Sequence, residues 1–529
     1  MKRIGVMLDC SRNAVRNVES LKHFMDCLAK MGYNTLELYT EDTYAVEGEP
    51  YFGYLRGRYT PEELRELDTY AQTKGIELIP CIQTLAHFTC IDRAVYKDII
   101  DTDDILLIDE PKTYAFIENI FRSVSQTFTS RNINIGMDEA HMVGKGKFFD
   151  RFGPEDRHEI LVRHLHKVAK IAEKYGFKCH MWSDMFFRLA SGGEYYDPNA
   201  SISEEIKAMI PGNVDLCYWD YYHDDKNFYD AMFCAHKQFH CDTWFAGGAW
   251  TWHGFAPLSG FSLKTMKPAV ESAKEQGIEN ILFTMWGDNG AECSAFSHLH
   301  TLYTLRRYVD GVFDEAQISR EFLKLFGMEY GDFTQLDLLN LPDVDVKQEL
   351  CIGLIKPLLY ADPFMGIFDK SIEKETMPPY GKFAVVLQDA GRRVGEYGYI
   401  FETLSALCNV LELKADLGVR TRKAYLAGDR EALIQIAGDY PEIIHRLEEF
   451  HKTFCYQWHK ENKPHGWEIQ DIRLGGLIQR LKTCHNRLNA YLNGELNKIE
   501  ELEEELLPWS GSEYIHCNEY ASIVSRSIL

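Results

Sequence analysis

Long apolar runs are missing from this chain, and so is any excess of positive charge. The early stretch IGVML falls far short of the roughly 20 apolar residues that span a bilayer. It also lacks the length and the small-residue cleavage site of an export signal. With 80 acidic against 57 basic residues, the formal charge of −23 repels phosphate backbones. Neither a membrane nor a nucleic acid is expected as a partner. The 14 cysteines form no CxxC pair and no regular framework. They are expected to be reduced core thiols of a cytoplasmic protein. No low-complexity linker divides the chain.

What is present suits a packed globule. The apolar fraction is 45% and the aromatic fraction 13%, ample for a core, and 529 residues favour two domains or more. Over the first three hundred residues a short β-rich run alternates with an amphipathic helix. The strand candidates are IGVMLD, TLELY, ELIPCI, NINIGMDE, KCHMWSD, VDLCYWD, TWFAGGA and NILFTMWGD. Helices such as VESLKHFMDCLAKMG place Leu21, Met25 and Leu28 on one face and stop at Gly32. Eight such pairs predict a (β/α)8 TIM barrel over residues 1–312, with an open doubly wound sheet as the alternative. Residues 313–529 read as a mostly α-helical C-terminal domain, with segments near 315–328, 381–418, 430–457 and 468–505. Within it, KIEELEEELLP reads as a helix with a solvated face, and WHKENKPHGWEIQDIRLGG as a structural loop. The cluster CAHKQFHC has metal-ligating residue types. However, Cys234 cannot share a helix face with His236 and His240, so a helix end is expected there.

Several strands stop at a polar or aromatic residue: Asp9, Asp138 with Glu139, Trp182, Asp184, Tyr218 with Asp220, and Trp286 with Asp288. His87 lies just beyond its strand. Barrel active sites are assembled from such strand ends. Asp184 reads equally as a helix N-cap. The pair Asp138–Glu139 is the most informative. Adjacent residues of a regular strand point to opposite faces, but both can turn into the mouth where the strand breaks. Two acids in one pocket do not both ionise cheaply, so one can hold a proton while the other stays charged. Cleavage of a glycosidic bond needs that combination. Tryptophan faces nearby would stack on the apolar faces of sugar rings.

With these residues in order, the barrel half resembles the β-N-acetylhexosaminidases of glycoside hydrolase family 20. That family carries an Asp–Glu pair at its fourth strand in a H-x-G-G-D-E context. This chain has Asn134-Ile135-Gly136-Met137-Asp138-Glu139, keeping the pair but not the His or the second Gly. LDCSR matches the first-strand D-x-x-R, YTEDTY the second-strand acids, and IQTLAH the third-strand histidine. Trp182 follows strand five, Tyr218-Trp219-Asp220 fits Y-x-D, and WGD stands for W-x-E. The α/β domain that precedes the barrel in many relatives is expected to be absent, because strand one begins at residue 4.

The resemblance implies a retaining, substrate-assisted hydrolysis of terminal β-linked GlcNAc or GalNAc through an oxazolinium ion. In that scheme Asp138 holds the acetamide N–H and Glu139 is the acid and then the base. Tyr218 donates to the acetamide oxygen, and His87, oriented by Asp42, tunes Glu139. Arg12 binds ring hydroxyls, and Trp182 with Trp250 or Trp252 walls the acetamide methyl. Trp286 floors the sugar, while Asp220 and Asp288 bind outer hydroxyls, with Glu292 an alternative to Asp288. No cofactor and no metal are called for. The expected partner is a carbohydrate with a terminal N-acetylhexosamine, and a homodimer is compatible with such a chain. The gluco or galacto preference stays open. Rival readings are a barrel glycosidase acting without acetamide help and a silent sugar-binding protein.

Overall fold

A computed structural model describes residues 1–340, 355–372, 377–511 and 517–527. Among them eight parallel strands close into a barrel in chain order, from β1 to β8. The strands are β1 Arg3–Asp9, β2 Thr35–Tyr39, β3 Glu77–Cys81, β4 Asn132–Asn134, β5 Lys178–Trp182, β6 Val214–Trp219, β7 Thr243–Gly248 and β8 Asn280–Met285. Closure comes from β1 pairing β8 with Ile4 opposite Ile281 and Val6 opposite Phe283. The barrel reading therefore holds, and the open sheet is excluded.

Local signals account for the crossovers. Helix Val18–Met31 is capped by the Asn17 side chain at its start and ends at Gly32, whose φ of 91° suits glycine. Helix Pro61–Thr73 opens with a Thr60–Glu63 capping box and Pro61. The barrel interior packs Met7, Tyr39, Ile79, Cys81, Trp182, Cys217, Trp244 and Leu282. Strand β4 is much shorter than its expected eight residues. It pairs through Asn134 and then breaks, with positive φ at Gly136, Met137 and Glu139.

The chain divides into two compact units. The first holds residues 1–249, 262–286 and 301–313. The second holds residues 250–261, 287–300 and 314–529. Two segments following β7 and β8 go with the second unit. That unit is helical, with Gly398–Lys414, Arg430–Glu461 and Trp467–Leu492 its longest helices. Two expectations for it are corrected. The supposed loop WHKENKPHGWEIQDIRLGG is mostly helix end and helix start, with only Asn462–Gly466 between them. The run KIEELEEELLP forms a helix only over Glu500–Glu503.

Candidate active site

The break after β4 is stabilised from two sides. Gln83, just past β3, accepts the Met137 N–H at 3.2 Å and donates to Asp138 Oδ1 at 2.8 Å. A Cβ on Gly136 would lie 2.1 Å from Gln83 Oε1, so this close approach requires glycine. On the other side, Asp184 Oδ2 accepts the Glu139 N–H at 2.9 Å. Asp138 and Glu139 thus leave the strand with both carboxyls turned toward one imidazole. His87 Nε2 lies 3.1 Å from Asp138 Oδ2 and 3.9 Å from Glu139 Oε2.

The two acids differ in exposure. The Asp138 side chain is 10% exposed and that of Glu139 41%, so Asp138 is sunk and Glu139 faces the opening. Burial opposes charge on Asp138, but the His87 charge beside it and the hydrogen bond from Gln83 outweigh it. Its pKa falls below the usual value. Burial likewise opposes charge on His87, yet Asp138 and Glu41 raise its pKa to about 10. Asp138 and His87 therefore face each other as an ion pair at neutral pH. Asp184 is driven toward its neutral form, raised to about 8 by burial and then by the Asp138 charge.

Arg12 reaches Glu41 at 3.1 Å, Tyr39 donates to Glu41 at 2.9 Å, and Gln83 donates to the Tyr39 hydroxyl at 3.0 Å. A continuous polar chain so runs from Arg12 to Asp138. It corrects one expectation: Asp42 does not orient His87. The Asp42 carboxylate is bound by Arg56 at 3.2 Å, and Glu41 is the second-strand acid whose charge acts on His87. The sequence TEDT offers both acids, and only the turn, with Glu41 at a φ of 40°, selects between them.

Strand phase decides the aromatic residues. Cys217 and Trp219 of β6 face the barrel interior. Tyr218 points the other way, with its ring 5.5 Å from Phe233 and 4.7 Å from His236 on the helix Lys226–His236. Its hydroxyl donates to Asp220 at 2.6 Å, and Asp220, fully buried, also accepts the Tyr222 N–H and faces His223 Nδ1 at 2.8 Å. Tyr218 and Asp220 therefore brace the turn after β6, contrary to the expected roles at a sugar. His236, from the cysteine–histidine cluster, is a core residue with contacts to Ser183 and the Met232 carbonyl.

The aromatic lining is made by Trp182, Trp219, Trp286, Tyr39 and Tyr221. Trp182 lies 6.0 Å from Trp286, and Tyr39 meets Trp286 edge-on at 4.7 Å. Tyr221 stacks on Trp219 at 5.3 Å and accepts the Trp286 indole N–H at 2.9 Å. The buried Trp182 Nε1 has no hydrogen-bond partner among the described residues. Glu41, Tyr39, Gln83 and Tyr221 escaped sequence reading. Tyr39 and Glu41 stood unassigned within the YTEDTY match, and Tyr221 within the aromatic run YWDYY.

Trp250, Trp252 and Asp288 belong to the second unit. There Trp250 stacks on Trp252 at 4.2 Å, and its carbonyl faces His298 Nε2 at 2.6 Å. Glu292 meets Arg473 at 3.0 Å and Lys356 at 3.1 Å, all buried. Glu292 is thus held between two cationic side chains inside the second unit.

A family model described as "Glycosyl hydrolase family 20, catalytic domain" matches residues 3–204. One described as "Glycoside Hydrolase 20C C-terminal domain" matches residues 331–519, so the two account for most of the chain. The chain belongs to glycoside hydrolase family 20. A beta-hexosaminidase of Vibrio furnissii is 29% identical over 173 residues, covering 26% of this chain and 28% of that protein. Beta-hexosaminidase subunit A1 of Dictyostelium discoideum is 28% identical over 155 residues, with the same two shares. The chain thus matches under a third of the length of these relatives. A solved β-N-acetylhexosaminidase from Bacteroides fragilis NCTC 9343 aligns with a TM-score of 0.47 and 18% identity, over 61% of this chain and 69% of that one.

The departures from the family 20 pattern now have a physical content. Asn134, in place of histidine, accepts the Gly136 N–H at 3.0 Å and reaches Glu37 at 3.4 Å. The other oxygen of Glu37 meets His180 at 2.7 Å, and His180 stacks on Trp244 at 4.0 Å. Met137, in place of glycine, holds a φ of 71° while its side chain is fully buried.

Proposed function

We propose that this family 20 protein is an exo-acting β-N-acetylhexosaminidase working by substrate-assisted retention. The observation that carries the reading is the unequal treatment of the acid pair. Asp138 is sunk, charged and clamped by Gln83 and His87, while Glu139 beside it is open to the mouth.

In this reading Asp138 accepts the acetamide N–H and offsets the positive charge that develops as the acetamide oxygen attacks the anomeric carbon. The attack is intramolecular, so fixing the acetamide supplies most of its advantage. Tyr221 takes the role expected of Tyr218: its oxygen is oriented by the Trp286 N–H, and its hydroxyl donates to the acetamide oxygen. Trp182, Trp219 and Trp286 enclose the methyl and the sugar face. Arg12, oriented by Glu41, binds ring hydroxyls. Glu139 protonates the leaving oxygen, and the same carboxylate then takes a proton from the water that opens the oxazolinium ion. His87 supplies the counter-charge that keeps Asp138 ionised. The substrate is a carbohydrate with a terminal β-linked N-acetylhexosamine.

Paired aryl glycosides with and without the 2-acetamido group test the reading. Turnover should be confined to the N-acetyl substrates, and Glu139→Gln should lower it by about 10²–10⁴-fold when the leaving group is poor. Equal turnover of plain β-glucosides would favour the glycosidase without acetamide help. Binding with no turnover would favour the silent sugar-binding protein.

A further inference from the structure

The two oxygens of the Glu139 carboxyl have different neighbours. Oε2 faces His87, while Oε1 accepts from the Tyr195 hydroxyl at 3.2 Å. Tyr195 follows the helix Asp184–Ser191, and no motif marks it in the sequence. Three contacts fix its ring and hydroxyl. The ring packs 5.3 Å from Trp219, the Arg188 guanidinium lies over it at 4.9 Å, and the hydroxyl bonds His141 Nε2. His141 is exposed and lies two residues beyond Glu139.

We propose that Tyr195, backed by His141, is a positioning residue for proton delivery by Glu139, through a hydrogen-bond chain that works in either direction. This rests on Glu139 being the acid. Before substrate binds, the O–H of protonated Glu139 donates to the Tyr195 oxygen, and the Tyr195 O–H donates to an unprotonated His141 Nε2; the leaving oxygen then replaces Tyr195 as the acceptor of that O–H. Once the proton has gone to the leaving oxygen, Glu139 is an anion. The Tyr195 hydroxyl then turns to donate to it, and His141 donates from Nε2 in its other neutral tautomer. The imidazole gives one proton to solvent and takes one back, so no net charge moves along the chain. Such a relay suits a residue that must be an acid in one step and a base in the next.

The surroundings favour the neutral form of His141 that the relay uses. Burial and then the Arg188 charge lower its pKa, against Glu139 and Asp104, with His87 adding to the lowering. Around Tyr195 the ionisable groups are Glu139, Asp184 and Arg188.

The test separates positioning from simple packing by the leaving group. Tyr195→Phe keeps the ring on Trp219 and under Arg188. Its kcat/KM should fall about tenfold on an N-acetyl-β-glucosaminide with a sugar aglycone, as expected for one lost hydrogen bond. It should change less than about twofold on the 2,4-dinitrophenyl glycoside, whose departure needs no proton. His141→Gln, able to donate or accept, should stay near the parent, and His141→Leu should behave as Tyr195→Phe. Equal losses on both substrates, or no loss on either, would overturn the proposal. Glu139→Gln serves as the reference. If it too shows no leaving-group dependence, the assignment of the acid fails; if it is steep while Tyr195→Phe is flat, only the relay fails.

Discussion

Asp184 opens a helix, where an aspartate ordinarily caps backbone N–H groups. Here Ser183 occupies the cap position and makes no side-chain cap, while Asp184 holds the Glu139 N–H. Burial and the Asp138 charge raise its pKa from 3.8 to about 8. The folded state therefore binds a proton that the unfolded state releases, and the stability this contributes is full below about pH 4. It is lost as pH rises toward 8. Asp184→Asn keeps an acceptor for Glu139 and removes the titration. Denaturant unfolding of that variant should show a flatter fall in stability between pH 5 and 8, by up to about 1.4 kcal/mol per pH unit. A slope equal to the parent's would mean that Asp184 is ionised in the folded protein. His87, raised to about 10, adds a fall in the same direction between pH 6.5 and 10 in both proteins.

At the scale of elements, the turn after β4 is the decisive one. Glu41, His87, Met137 and Glu139 all hold positive φ without being glycine, at the ends of three successive strands. Such backbone costs about 1–3 kcal/mol per residue and persists only where surrounding contacts over-determine it. Gly136→Ala adds a Cβ against Gln83 at a positive φ, so the turn must shift and Asp138 loses its clamp. Activity should fall at least about tenfold, with about 1–3 kcal/mol lost in stability. Normal kinetics in that variant would show that Gln83 does not hold Asp138. Strand β6 shows why some positions were illegible: Tyr218, Trp219 and Asp220 put aromatic or polar groups on both faces, so a period of two has no phase to read.

At the scale of the whole molecule, the second unit draws in the segments after β7 and β8. Gln470 donates to the Gly290 carbonyl, Gln457 to that of Glu292, and Lys356 and Arg473 to that of Asn289. The same Lys356 and Arg473 flank the buried Glu292. Burial works against charge on Lys356, and Glu292 works against that shift. Glu292→Ala strands two buried cations, so it should destabilise the protein by about 3–5 kcal/mol. Urea unfolding would measure this, and a loss under about 1 kcal/mol would show the triad to be solvated. Gln470 and Arg473, from the stretch expected to be a loop, act on this segment from within a helix. Among the described residues no helix is long and apolar enough to cross a membrane.

The sequence by itself determined the barrel, the family and the acid pair, because these depend on local periodicity and on residues adjacent in the chain. INIGMDEAH already displays a strand, a break and two carboxylates. Tertiary structure alone decided which neighbours serve that pair. Glu41 rather than Asp42, the unmarked Gln83, and Asp184 as a partner of Glu139 rather than a helix cap are chosen by strand phase and turn geometry. Those are set by packing across the barrel mouth, where residues far apart in sequence meet within 3 Å and no local pattern records the meeting.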